Sequence, residues 1–146
     1  MFDLKNRLVS KQSTTSASPS SGNTATNGND VVFTGYESIT LLLRISARTD
    51  GTYTPKIQVS ADGSNYYDLD ADSYIGGAVP GAQNAVGDFL FGVAQIKSAA
   101  AVSAGVTDMT TITHVRSVVT QASGTTGATF QTSFLLSHAR HAGNAV

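Results

Sequence analysis

The sequence predicts an all-β chain, an antiparallel β-sandwich with an extended N-terminal arm. Three observations predict it. Apolar residues alternate with period two over residues 38–47 and again over 128–136. Short turns built on glycine, Thr49-Asp50-Gly51-Thr52, Ala61-Asp62-Gly63-Ser64 and the QASGTTG stretch at 121–127, separate the alternating runs. Helical periodicity is convincing nowhere.

The arm spans residues 1–30. Positions 10–30, SKQSTTSASPSSGNTATNGND, are polar and of low complexity. No side chain there is large enough to nucleate a core, so nothing local offsets an ordering cost of about 1–2 kcal/mol per residue. Ahead of this tether, Phe2, Leu4, Leu8 and Val9 form a small apolar anchor, and Lys5, Arg7 and Lys11 add cations suited to an acidic partner surface. Thirty extended residues reach roughly 100 Å at about 3.3 Å each. The arm is therefore expected to lie on a neighbouring subunit, and its removal to leave the body folded.

The sandwich domain spans residues 31–146. Ile39, Leu41, Leu43, Ile45 and Ala47 alternate with Thr40, Leu42, Arg44, Ser46 and Arg48, a long strand with one buried face. After the turn at 49–52, residues 53–60 form a second strand, in which Pro55 marks an edge or a bulge. The Asp62-Gly63 turn leads to a third strand over 65–69, and the three are expected to form a meander. Residues 112–120 are rich in β-branched side chains and form a further strand. Ala128, Phe130, Thr132, Phe134 and Leu136 share one face of a long last strand. The expected core is Leu41, Leu43, Ile45, Ile57, Val59, Phe130, Phe134 and Leu136.

Residues 73–111 are a Gly- and Ala-rich excursion, with a strand-like island at 88–96 and a short helix at 99–106. A loop this long in a compact domain tends to be functional. The expectation is that it contacts another subunit.

Composition narrows the function. Apolar residues make up 40% of the 146, enough for one real core, while charged residues make up only 13%, about half the usual share. A surface so poor in charge suits a protein that works assembled. The net charge of −1 offers no basic stripe for nucleic acid. The absence of cysteine excludes disulfides, thiolate catalysis and cysteine metal sites. The opening residues, MFDLKNRLV, do not read as a secretory signal, and no apolar run approaches 18 residues, so synthesis in a cytoplasm and no membrane partner are expected.

Chemical motifs are few. Asp68, Asp70 and Asp72 imitate the opening of a calcium loop, but Ser73 and Val79 stand where an EF-hand needs Gly and a bidentate Glu. A solvated turn is the expected reading, with no metal and no cofactor. His114, His138 and His141 lack metal-site spacing, no G-x-S-x-G elbow occurs, and Glu37 is the sole glutamate, so no enzyme is expected. Tyr36, Tyr53, Tyr66, Tyr67 and Tyr74 resemble a sugar-stacking platform on paper, but tyrosine on strands is equally a packing residue.

The order of turns and strands resembles small phage virion proteins, in particular β-sandwich head-decoration or cement proteins. The residues that carry it are SITLLLRISA (38–47), TDGTYTPKIQVSADGSNYYDL (49–69), HVRSVV (114–119), SGTTGATF (123–130) and the closing strand up to SHAR (137–140). It covers about residues 38–70 and 112–140. The resemblance implies a bacteriophage structural protein of the virion, made in the host cytoplasm. It implies a homotrimer over capsid symmetry axes that grips the major capsid protein through terminal arms. Two other readings stand beside it: a glycan-binding module of a tail or fibre, and a neck or tail structural protein. The S-x-D-G-aromatic run also occurs in discoidin-like sugar-binding domains, which normally carry Trp, and this chain has none.

Overall fold

The computed structural model describes residues 8–17 and 24–138 of the chain. Nine strands run β1 (Leu8–Ala17), β2 (Thr24–Asn27), β3 (Val31–Val32), β4 (Tyr36–Arg48), β5 (Thr52–Ser60), β6 (Tyr67–Asp68), β7 (Gly87–Gly92), β8 (His114–Ala122) and β9 (Ala128–His138). Among the described residues a helix, α1 (Ala99–Ser103), and a 3-10 turn over Ala71–Ser73 interrupt them. The strands form two antiparallel sheets, β1-β9-β4-β7 and β2-β8-β5-β6, with β3 also paired to β8. The molecule is an all-β sandwich.

Period-two alternation works as its physics requires. Ile39, Leu41, Leu43 and Ile45 of β4 are buried, as are Phe130, Phe134 and Leu136 of β9 in the same sheet. They face Tyr53, Ile57 and Val59 of β5 and Val115 and Val119 of β8 from the opposite sheet. All eight residues expected in the core are in it. Ala47 is exposed, because the β4–β9 register shifts between Ile45 and Ala47 and ends the alternation there. Within the core a polar contact joins the sheets: the hydroxyls of Ser117 and Thr132, both fully buried, lie 2.6 Å apart.

The expected meander does not form. β4 and β5 are consecutive but belong to different sheets, and so do β8 and β9. The turns at 49–51 and 123–127 are therefore crossovers between layers. Only β5 and β6 make a hairpin, closed by the Asp62-Gly63 turn. Asp62 accepts the backbone N–H groups of Ser64 and Asn65, both at 2.8 Å, and Gly63 sits at φ 74°. Pro55 marks a local edge, as expected. Tyr53 and Ile57 turn their backbone polar groups away from β8, toward Gln83 and the Tyr74 hydroxyl. Pro55 lies between them in the same row, where its missing N–H costs no ladder bond.

Residues 73–111 are more than a loop. Val93, Ile96, Ala101 and Val106 are buried in the same cluster as Leu41 and Phe134. β7 is the strand island, paired along β4. Helix α1 starts at Ser98, whose hydroxyl accepts the Ala101 N–H at 3.3 Å.

The arm differs from expectation in its described part. Residues 8–17 pair with β9 of the same chain, and 24–27 pair with β8. The physical reason is that a strand needs backbone partners before it needs large side chains, and β9 and β8 each offer an open ladder. Polar Ser and Thr are well suited to such a flank.

Candidate functional site

Of the residues expected to bind a partner, Leu8, Val9 and Lys11 stand in β1, opposite Ser137, Leu136 and Phe134 of β9. Phe2, Leu4, Lys5 and Arg7 lie outside the described residues, as does His141. Four regions of the described body carry distinct surface chemistry or polar structure.

The first is the end where the two crossovers meet. Asp50 accepts hydrogen bonds from the Thr125 hydroxyl at 2.6 Å and from the N–H groups of Thr125, Thr126 and Gly127 at 3.0, 3.0 and 2.7 Å. The Thr125 hydroxyl and then the Gly127 N–H hold its carboxyl well below the usual carboxylate range. Tyr53, fully buried, donates its hydroxyl to the Asp50 carbonyl at 3.0 Å. Beneath the second crossover Gln121 is fully buried, and among the described residues its amide has no hydrogen-bond partner. Gly124 packs so closely on that amide that a Cβ would overlap it.

The second region is the outer edge of the β7 sheet. Ile75, Val79, Val86 and Leu90 are 71%, 57%, 60% and 62% exposed. Ile75 and Leu90 share a hollow of about 210 Å³ with Ala78 and Phe91. Ile75 reaches it by folding over Gly92, where a Cβ would meet the isoleucine at 2.6 Å. Beside Leu90, Arg44 binds Asp88 through two bonds of 2.7 and 3.0 Å, and this hydrogen bonding lowers the Asp88 pKa.

The third region is the outer face of the β5 sheet. Gln58 stands in register with Arg116 on one side and Asp68 on the other. Arg116 donates Nε to the Gln58 oxygen at 2.7 Å, and Gln58 donates Nε2 to Asp68 at 2.6 Å. Lys56 holds the other Asp68 oxygen at 2.8 Å. Partial burial works against the Asp68 charge, but the bonds from Lys56 and Gln58 win and lower its pKa. The Arg116 guanidinium lies 4.1 Å over the ring of Tyr66. Burial, and then the nearby Asp30 carboxylate, push the Tyr66 hydroxyl upward.

The fourth is the aspartate run. Asp68 and Asp72 face Lys56 and, at 3.8 Å, Lys97, so protein cations sit beside two of the three carboxylates. Among the described residues no three His, Cys, Asp or Glu side chains gather as a metal site. Among the described residues no helix is long and apolar enough to cross a membrane.

The tyrosines divide. Tyr53 and Tyr74 are core residues, and Tyr36 packs on Phe33 with ring centres 6.0 Å apart. Only Tyr66 and Tyr67 share a surface cleft, lined also by Gln58, Asp68, Asp70 and Ser98. Cross-strand rows such as Arg116-Gln58-Asp68 are not legible in a sequence, because they depend on register. The Asp in T-D-G-T is legible as a turn former, but its partners 75–77 residues away are not.

No family model matches the chain, and no curated protein matches it. Among solved structures it is similar to a chain in the structure of infectious bursal disease virus, Gx strain, at 12% identity and a TM-score of 0.46. The match covers 92% of this chain and 34% of that one.

Proposed function

We propose that the chain is a non-enzymatic structural subunit of a virus particle, and within that class a capsid decoration or cement protein. Its partners in this reading are the major capsid protein and copies of itself in a homotrimer, with neither nucleic acid nor membrane among them. The observation that carries the reading is the exposed apolar edge at Ile75 and Leu90, on a chain with only 13% charged residues. Apolar side chains grouped at a surface hollow mark a protein contact. Residues 73–111 would then have two duties, filling the core with Val93 and Ile96 and presenting Ile75 and Leu90 outward.

The mechanism is clamping. Contacts between neighbouring shell subunits are individually weak, and a protein that touches several of them gains by multivalency. Because it binds only the assembled lattice, it shifts assembly by mass action. Residues 1–7, with Phe2, Leu4, Lys5 and Arg7, supply a further grip in this reading.

Quantitative mass spectrometry of purified particles, with cryo-electron microscopy of the same sample, tests it. The expected result is a copy number proportional to the major capsid protein, with density on the shell. A fixed small number of copies in a ring assigns the chain to a neck or tail, and absence from the particle ends the proposal.

A further inference from the structure

We propose that the outer edge of β7 pairs with the same edge of a second copy of the chain, antiparallel across a twofold axis at Phe89. The proposal rests on the reading of the Ile75 and Leu90 edge as a protein contact, and it names the partner. β7 ends its sheet, with β4 on one flank only.

Its backbone leaves a short open ladder. Val93 donates its N–H to the Ile39 carbonyl at 3.0 Å, on the β4 side, and Gly92 turns its carbonyl outward to the Ile75 N–H at 2.9 Å. Backbone groups alternate sides along an antiparallel strand, and the β4–β7 register runs without a shift. Phe89 and Phe91 therefore bond toward β4, while Asp88 and Leu90 turn their N–H and C=O groups outward. Among the described residues those four groups have no backbone partner.

That window is complementary to itself. A twofold axis at Phe89 sets Asp88 opposite Leu90 of the second copy, and Leu90 opposite its Asp88. Each pair exchanges two hydrogen bonds, so every open group of both windows is used. The same register sets Val86 of one copy opposite Gly92 of the other, where Ile75 folds over the glycine. Exposed Val86 thus meets exposed Ile75 and the hollow of about 210 Å³ beside it. The two Leu90 side chains become diagonal neighbours on one face. So do the two Asp88 side chains, but Arg44 already holds each in its own copy at 2.7 and 3.0 Å, so the edges do not repel. An apolar strand edge with its charge neutralised is a template for another strand, and here the matching strand is its own copy.

Such a contact closes after two chains. A threefold homotrimer cannot contain it, so on a shell it joins neighbouring homotrimers.

The test is sedimentation equilibrium of the full chain over rising concentration, with amide hydrogen exchange on the same samples. Reversible association is expected, with exchange at the Asp88 and Leu90 amides slowing in step. Leu90→Lys, on an exposed side chain, is expected to abolish both effects and to leave the unfolding midpoint, measured at dilution, in place. A chain that stays monomeric overturns the proposal. So does association that Leu90→Lys leaves intact, or in which those two amides exchange as in the monomer. Neither result touches the shell reading, which fails instead when the chain is missing from purified particles.

Discussion

The carboxylate of Asp50 receives the Gly127 N–H at 2.7 Å across 77 residues of sequence, and it thereby fastens one crossover to the other. Thr49 completes the clasp by donating its N–H to the Gly127 carbonyl at 3.0 Å. The Asp50 pKa is depressed in the folded chain, so its contribution is fully present above the unfolded carboxylate pKa of about 3.9. It is lost as pH falls toward the folded value. The unfolding free energy is expected to decline below about pH 4 and to decline less steeply in Asp50→Asn. Denaturant titrations at several pH values check this. Equal slopes in the two chains would show that the clasp carries no charge-dependent stability.

Gly124 and Gln121 make a second pair with opposite expected signs. Gly124→Ala forces a methyl group into the buried amide and should cost about 1–3 kcal/mol, as overpacking does. Gln121→Met keeps the shape and removes two buried polar atoms that have no partner among the described residues. It should be neutral or stabilising by about 1 kcal/mol. A drop in melting temperature for Gln121→Met would mean that the amide has a partner after all.

A buried face and an exposed apolar edge separate stability from contact. Phe134→Ala empties a fully buried position and should cost about 3–5 kcal/mol. Leu90→Ser, at 62% exposure, should stay within about 0.5 kcal/mol of the parent. If the shell role holds, the same Leu90→Ser chain is recovered on particles at reduced copy number. Sedimentation of particles with bound and free chain reads this directly.

Removing residues 2–17 takes β1 from the flank of β9 and leaves that ladder open. The shortened chain is expected to unfold earlier, by about 2–4 °C for each kcal/mol lost, and to associate with rising concentration. A monomer as stable as the parent would show that the β1 pairing contributes little and that the segment is available to a partner.

The strands and their inward faces were legible because burial imposes a period that the chain cannot hide. Leu41, Leu43 and Ile45 announce a buried face without any knowledge of what covers it. Pairing was not legible. Thr49-Asp50-Gly51 has the composition of a hairpin turn, and only the partners at 125–127 turn it into a crossover. The register shift near Ser46 was hidden for the same reason, since nothing in the chemistry of Ile45 and Ala47 signals it. Strand β1 was missed because Ser and Thr signal neither core nor helix, while an open ladder on β9 accepts almost any extended chain. Of the cleft, the tyrosines and aspartates were visible as types. Their division into core and surface was not, because Tyr66 and Tyr67 are neighbours whose surroundings come from Arg116 and α1.

The sheet orders have a consequence for how the protein is made. β9 sits between β1 and β4, and β8 between β2 and β5, yet both follow every other strand in the chain. On a ribosome, β1 to β7 emerge before the strand that each sheet is built around. Until then, among the described strands, the β5–β6 hairpin and the β4–β7 pair are the ladders with both members present. Such late, long-range closure makes for slow folding and a nascent chain with open edges. Low charge then becomes a hazard during synthesis, because open strand edges on such a chain invite association.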